Sequence, residues 1–127
     1  MNGLLPTTAV CVVDDDQSVL TAVGRLLRAE GFEVAKFGDP TVFLTAIEQS
    51  SPRVALLDVA MPVMSGLEVQ AILRQKSPET RVVFCSGQSD AAIREAALRN
   101  GAIDFLEKPF DDEELVMTVR RALNGVA

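Results

Sequence analysis

The chain has 127 residues, 48% of them apolar, which suits one domain built on one core without disulfide staples. Eighteen acidic residues against twelve basic give a formal net charge of −6, which argues against a direct nucleic-acid surface because phosphate binding needs a concentrated basic face. There is no histidine, and with it go Ser-His-Asp and Cys-His catalysis, histidine general bases and most zinc sites.

Residues 1–8 read as a loose arm, and their start, Met1-Asn2-Gly3-Leu4-Leu5-Pro6, lacks the charged and apolar regions of a signal peptide. No apolar run approaches the length of a bilayer span, so a soluble, cytoplasmic protein with no membrane partner is expected. One domain is expected over 9–125. The apolar run 9–14 predicts a strand ending in acid at Asp14, Asp15 and Asp16. Helical spacing follows over 17–29, with Val19, Leu20, Val23, Leu26 and Leu27 on one stripe and Gly31 just past the end. A second strand is predicted over 33–37 and a second helix over 40–49, carrying Phe43, Leu44 and Ile47.

The third strand, 54–58, is Val54-Ala55-Leu56-Leu57-Asp58, followed at once by the turn segment Met61-Pro62-Val63-Met64-Ser65-Gly66. A third helix is predicted over 66–76 on Val69, Ile72 and Leu73. A fourth strand follows over 81–85, then a fourth helix over 90–99 that Asp90 can cap, with Ile93, Ala96 and Ala97 inward and Gly101 beyond it. The last strand, 103–106, precedes a fifth helix over 112–124. Asp111 to Glu114 put negative charge where that helix dipole favours it, Leu115, Val116, Val119, Ala122 and Leu123 form its stripe, and Gly125 ends it.

Short, nearly continuous apolar strands alternating with helices imply an α/β open sheet with right-handed crossovers, both faces covered. The expected architecture is a flavodoxin-like (βα)5 doubly wound parallel sheet, strand order 2-1-3-4-5, in a single domain. Cys11 and Cys85 then sit on non-adjacent strands about 9–10 Å apart, too far for a disulfide. In such sheets ligands collect beyond the carboxyl ends of strands where the order reverses, here between strands 1 and 3. Asp14, Asp15 and Asp58 end those strands, while Ser86 and Lys108 reach the same rim from strands 4 and 5. Carboxylates about 4 Å apart repel by roughly 4 kcal/mol per pair at an effective dielectric near 20, so such a cluster calls for a cation.

The residues Val12-Val13-Asp14-Asp15-Asp16, Leu56-Leu57-Asp58 with Met61-Pro62 and Ser65-Gly66, Ser86-Gly87, and Lys108-Pro109-Phe110 resemble the receiver domain of two-component response regulators, the CheY-like family, over essentially the whole length. Ser18-Val19, Phe37, Ser86-Gly87 and Gly101-Ala102-Ile103-Asp104-Phe105 have the texture of receivers of the NarL/FixJ type. The resemblance implies that Asp58 accepts a phosphoryl group as a mixed anhydride from a phosphohistidine on a sensor histidine kinase. It further implies that Asp14, Asp15, Asp58 and the main-chain carbonyl of Ala60 hold Mg2+, that Lys108 and Ser86 contact the phosphoryl oxygens, and that Lys108-Pro109 is a cis peptide. No separate enzymatic turnover is expected beyond acceptance and self-hydrolysis of that group.

By the same resemblance Ser86 and Phe105 form a switch. Ser86 would move toward phosphorylated Asp58 and Phe105 would turn inward, on packing alone, because the family's frequent tyrosine hydroxyl is missing. The face of helix 4, strand 5 and helix 5, with Arg94, Leu98, Asp104, Arg120 and Arg121, is the expected partner surface and suits a phosphorylation-dependent homodimer. Ala60 and Gln88 flank the path of a hydrolytic water, so Gln88 is expected to tune phosphoryl lifetime. A competing reading is a receiver-like binding module regulated by protein contacts without phosphorylation. An aspartyl-phosphate phosphohydrolase would need an acid at position 60, which is alanine. A flavodoxin would need glycine and hydroxyls after strand 1, where this chain is acidic.

Overall fold

A computed structural model describes residues 9–87 and 90–125, so the expected arm over 1–8 and the lifetime role of Gln88 lie outside the described residues. The strands are β1 Val10–Val13, β2 Val34–Phe37, β3 Val54–Leu57, β4 Arg81–Ser86 and β5 Asp104–Glu107. The helices are α1 Gln17–Ala29, α2 Pro40–Ala46, α3 Gly66–Lys76, α4 Ala91–Arg99 and α5 Asp112–Leu123. All pairings are parallel, in the order β2-β1-β3-β4-β5. This is the flavodoxin-like doubly wound fold expected from the alternation of strand and helix patterns.

Two apolar layers hold the sheet. Alternate residues of a strand point to opposite faces, so Val10 and Val12 pack with Leu20, Leu27, Leu115 and Val119 of α1 and α5. Cys11 and Val13 pack on the other face with Phe43, Val69, Leu73 and Ala97 of α2, α3 and α4. Both faces are covered, which explains why the central strands are apolar without alternation. Cys11 and Cys85 are free and buried, with β3 between their strands, and burial pushes both thiols up to about 12. No helix among the described residues is long and apolar enough to cross a membrane.

Each helix begins with a side-chain cap: Asp16, Asp39, Ser65, Asp90 and Asp111 accept from main-chain N–H groups of the first turn. Ser65 and Glu68 make a reciprocal capping box at α3. Gly31, Gly101 and Gly125 all take positive φ past helix ends, as their spacing predicts. The helix expected over 40–49 is shorter than its pattern. Its final carbonyls turn into i→i+3 bonds, from Glu48 to Thr45 and from Gln49 to Ala46, while Ile47 stays buried.

The apolar stripes leave out two buried polar residues of the helices, Gln70 and Thr118. Gln70 on α3 is 2% exposed and donates Nε2–H to the Ala97 carbonyl of α4 at 2.9 Å. That carbonyl also accepts from Ala102 N–H, so it keeps a partner if Gln70 is shortened. Gln70→Ala is therefore expected to cost about 2 kcal/mol through lost packing and one lost bond, measured by urea unfolding.

Candidate acidic site

The register of β1 on β3 pairs Val13 with Leu57, so the next residue of each strand, Asp14 and Asp58, emerges at one sheet edge. Asp58 N–H donates to the Val13 carbonyl and Asp14 N–H to the Phe37 carbonyl, both at 3.0 Å, which fixes the two main chains there. Asp14 is 2% exposed and Asp58 8%, whereas Asp15 is open to solvent. Carboxylate oxygens of these three residues lie within 4.8 Å of one another. Asp16 does not join them: its carboxylate is engaged by Ser18 at the start of α1, and its N–H donates to Asp14 Oδ1 at 2.9 Å.

Lys108 reaches this group from the loop after β5. Its Nζ lies 2.7 Å from Asp14 Oδ2 and 3.7 Å from Asp58 Oδ1. Its main-chain N–H donates to the Ser86 carbonyl at 2.8 Å, which extends the β4–β5 pairing to the rim, and the Lys108-Pro109 bond is cis as expected. Ser86 ends β4 and is buried, and Ala60 is exposed two residues beyond Asp58.

Three carboxylates against one ammonium leave the site short of positive charge. Burial first, then the charge of Asp14, push Asp58 up to about 6; Lys108 opposes the shift and Asp15 adds to it. Burial works to lower Lys108, but the hydrogen bond and charge of Asp14, with Asp58 behind them, carry it above its ordinary value. The donor set is all oxygen, clustered and anionic, and one member is open to water. Those features fit a hard divalent cation that keeps some of its hydration.

The start of α3 makes room for this edge. A Cβ on Gly66 would meet the Asp58 carbonyl oxygen at 2.2 Å and the Phe84 ring at 3.0 Å, and Gly66 N–H bonds the Val59 carbonyl. The Ser65-Gly66 motif was visible in the sequence, but its steric reason was not, because it depends on a residue eight positions away.

Two expectations need correction. Phe105 is already inward, 3% exposed and packed in the core beside Phe84, so burying its ring requires no phosphoryl group. An aromatic ring without a hydroxyl has no polar end to keep in water, which favours this position. Arg120 does not face the surface of α4, β5 and α5. Its guanidinium pairs with Glu30 at the end of α1 at 2.8 Å and lies over the Phe32 ring, on the opposite flank of α5. Arg94, Asp104 and Arg121 do lie together, and Leu98 is 38% exposed nearby in sequence on α4.

Comparison with known proteins agrees with this geometry. The family model of the response regulator receiver domain matches residues 10–120. The response regulator protein TodT of Pseudomonas putida is 39% identical over 116 residues, 91% of this chain and 51% of that protein. The DNA-binding response regulator MtrA of Mycolicibacterium paratuberculosis is 39% identical over 114 residues, 90% of this chain and 50% of that protein. The chain thus spans about half the length of these relatives. Among solved structures, the receiver domain of NtrX from Brucella abortus superimposes with a TM-score of 0.86 at 33% identity, covering 91% of this chain and 98% of that one.

Two predictions follow from the packing and charge. Gly66→Ala is expected to destabilise the fold by roughly 2–4 kcal/mol, because the clash is with main chain and cannot be relieved by a rotamer change; urea unfolding measures it. The folded state holds the Asp58 proton more tightly than the unfolded chain, whose ordinary value is 3.8. The stability that this group contributes is present at low pH and is lost as pH rises toward about 6. Metal-free Asp58→Asn protein should therefore exceed the parent in stability by roughly 1–3 kcal/mol near neutral pH, with the gap closing below about pH 4. Unfolding in a chelator across that range checks it.

Proposed function

Because the chain belongs to the response regulator receiver domain family, we propose that Asp58 accepts a phosphoryl group from a phosphohistidine on a sensor histidine kinase. The change at Asp58 then passes to an output partner or domain in the cytoplasm. Support for Asp58 comes from its neighbours: a lysine ammonium 3.7 Å away and the adjacent carboxylates of Asp14 and Asp15 within 4.8 Å, so that three separate segments meet at one rim.

In the transfer, an Asp58 oxygen attacks phosphorus, the P–N bond to the kinase imidazole breaks, and the nitrogen leaves with the electron pair. Mg2+, held by Asp14, Asp15, Asp58 and the main-chain carbonyl of Ala60, would supply charge to the phosphoryl oxygens. Lys108 turns from Asp14 to one of those oxygens, and the Ser86 hydroxyl donates to another. Burial of Asp14 and Asp58 keeps these contacts in a medium where they count for more than in bulk water. The chain acts as a phosphoacceptor that returns its group to water, without turnover of a separate substrate. A phosphorylation-dependent homodimer through the face of α4, β5 and α5 is part of the same reading.

Incubation with acetyl phosphate and Mg2+, followed by intact mass measurement, tests it. The parent should gain one phosphoryl mass, and neither chelator-treated protein nor Asp58→Asn should. Lys108→Ala should slow the gain on the order of 100-fold, the usual loss when one positioned charge-stabilising donor is removed. An unlabelled parent, or a labelled Asp58→Asn, refutes the assignment.

A further inference from the structure

We infer that Arg94 of α4 and Asp104 of β5, the latter held by Arg121 of α5, are positioning residues that fix the main chain and ring of Phe105. The inference deepens the phosphoacceptor reading and rests on it for the connection to Asp58.

β5 is an edge strand, with β4 as its one neighbour in the sheet. Edge strands leave main-chain groups unpaired on one side, and folds meet these with side chains or cover. At Phe105 both groups are met by side chains. Its N–H donates to Asp104 Oδ1 at 2.8 Å, and its carbonyl accepts from Arg94 Nη1 at 3.0 Å. Asp104 is itself held from α5, because Arg121 Nη2 donates to Asp104 Oδ2 at 2.9 Å. One peptide segment of β5 is thus tied to both flanking helices.

The ring is held by the same residue. The Arg94 guanidinium carbon lies 5.8 Å from the Phe105 ring centroid, an exposed cation over a buried ring. A phenylalanine has no hydroxyl with which to anchor itself, so its polar anchoring passes through the main chain and its cover through Arg94. A ring turning outward would have to displace that guanidinium.

From Phe105 a chain of neighbouring residues leads to the main chain of Asp58. Its ring lies 5.9 Å from that of Phe84, and Phe84 sits against Gly66, which packs on the Asp58 carbonyl. Arg94 therefore acts on the site through Phe105 and Phe84 and touches none of the reacting atoms.

The test uses the parent, Arg94→Ala, Arg94→Lys and Asp104→Ala in two measurements. In the unphosphorylated proteins, NMR reads ring-to-ring contacts between Phe84 and Phe105 and amide exchange at Phe105. Arg94→Ala should weaken the ring contacts, Arg94→Lys should restore them in part, and Asp104→Ala should speed Phe105 exchange about fivefold or more. Acetyl phosphate labelling should then slow about fivefold in Arg94→Ala and recover with lysine. Unchanged ring contacts in Arg94→Ala, or Phe105 exchange unmoved in Asp104→Ala, overturn the positioning role. Loss of ring contacts with labelling still at the parent rate overturns its connection to Asp58. If the parent itself is not labelled, the phosphoacceptor reading fails, and the NMR result still decides the positioning role.

Discussion

The ion pair between Lys108 and Asp14, at 2.7 Å, is the interaction on which the acidic rim depends. Asp14 and Asp58 are both buried, and buried carboxylates side by side stay ionised only beside compensating charge. Lys108 supplies it from the end of the last strand, more than ninety positions from Asp14 along the chain. Its ammonium can reach them because its own main chain is bonded to Ser86 at the end of β4. The sheet register is thereby translated into a charge register: a slip of β5 on β4 would carry the ammonium away from both acids.

Much of this was legible in the sequence because it is written locally. Buried parallel strands are short apolar runs, and the first polar residue after each run marks the carboxyl edge where chemistry can sit. Asp14, Asp58 and Ser86 follow directly from that rule. Lys108 lies one residue further on, beyond Glu107, so the rule places it near that edge without singling it out. The cap at Asp90, the acidic start of α5 from Asp111 and the positive-φ glycines Gly31, Gly101 and Gly125 were equally readable, since each is decided within one turn of its helix.

What was not legible belongs to contacts between distant segments. Gln70 is a polar residue next to an apolar stripe, and only the approach of the Ala97 carbonyl makes its burial favourable. Arg120 and Arg121 are adjacent on one helix, about 100° apart around its axis, yet one pairs with Glu30 and the other with Asp104. Helical period places them on different flanks, but which flank meets which partner is set by α1 and β5. Phe105 was expected to need a phosphoryl group to turn inward; its composition alone, without a hydroxyl, already favours the core once Arg94 covers it.

The electrostatic tension at Asp58 and the demand for a cation have the same origin. Burial and the charge of Asp14 raise the cost of ionising Asp58, and Lys108 offsets only part of it. A ligand that binds the ionised folded site recovers that cost, so cation binding and fold stability are linked through one carboxylate. Asp15, the member open to solvent, matters here because it adds negative charge to the site without being sealed by protein. Replacing Asp58 by an apolar residue would ease the tension and weaken the site together, whereas replacing Asp14 would leave Lys108 without its 2.7 Å partner. The fold tolerates a destabilising cluster at its edge because the two apolar layers beneath it do not depend on that cluster for their packing.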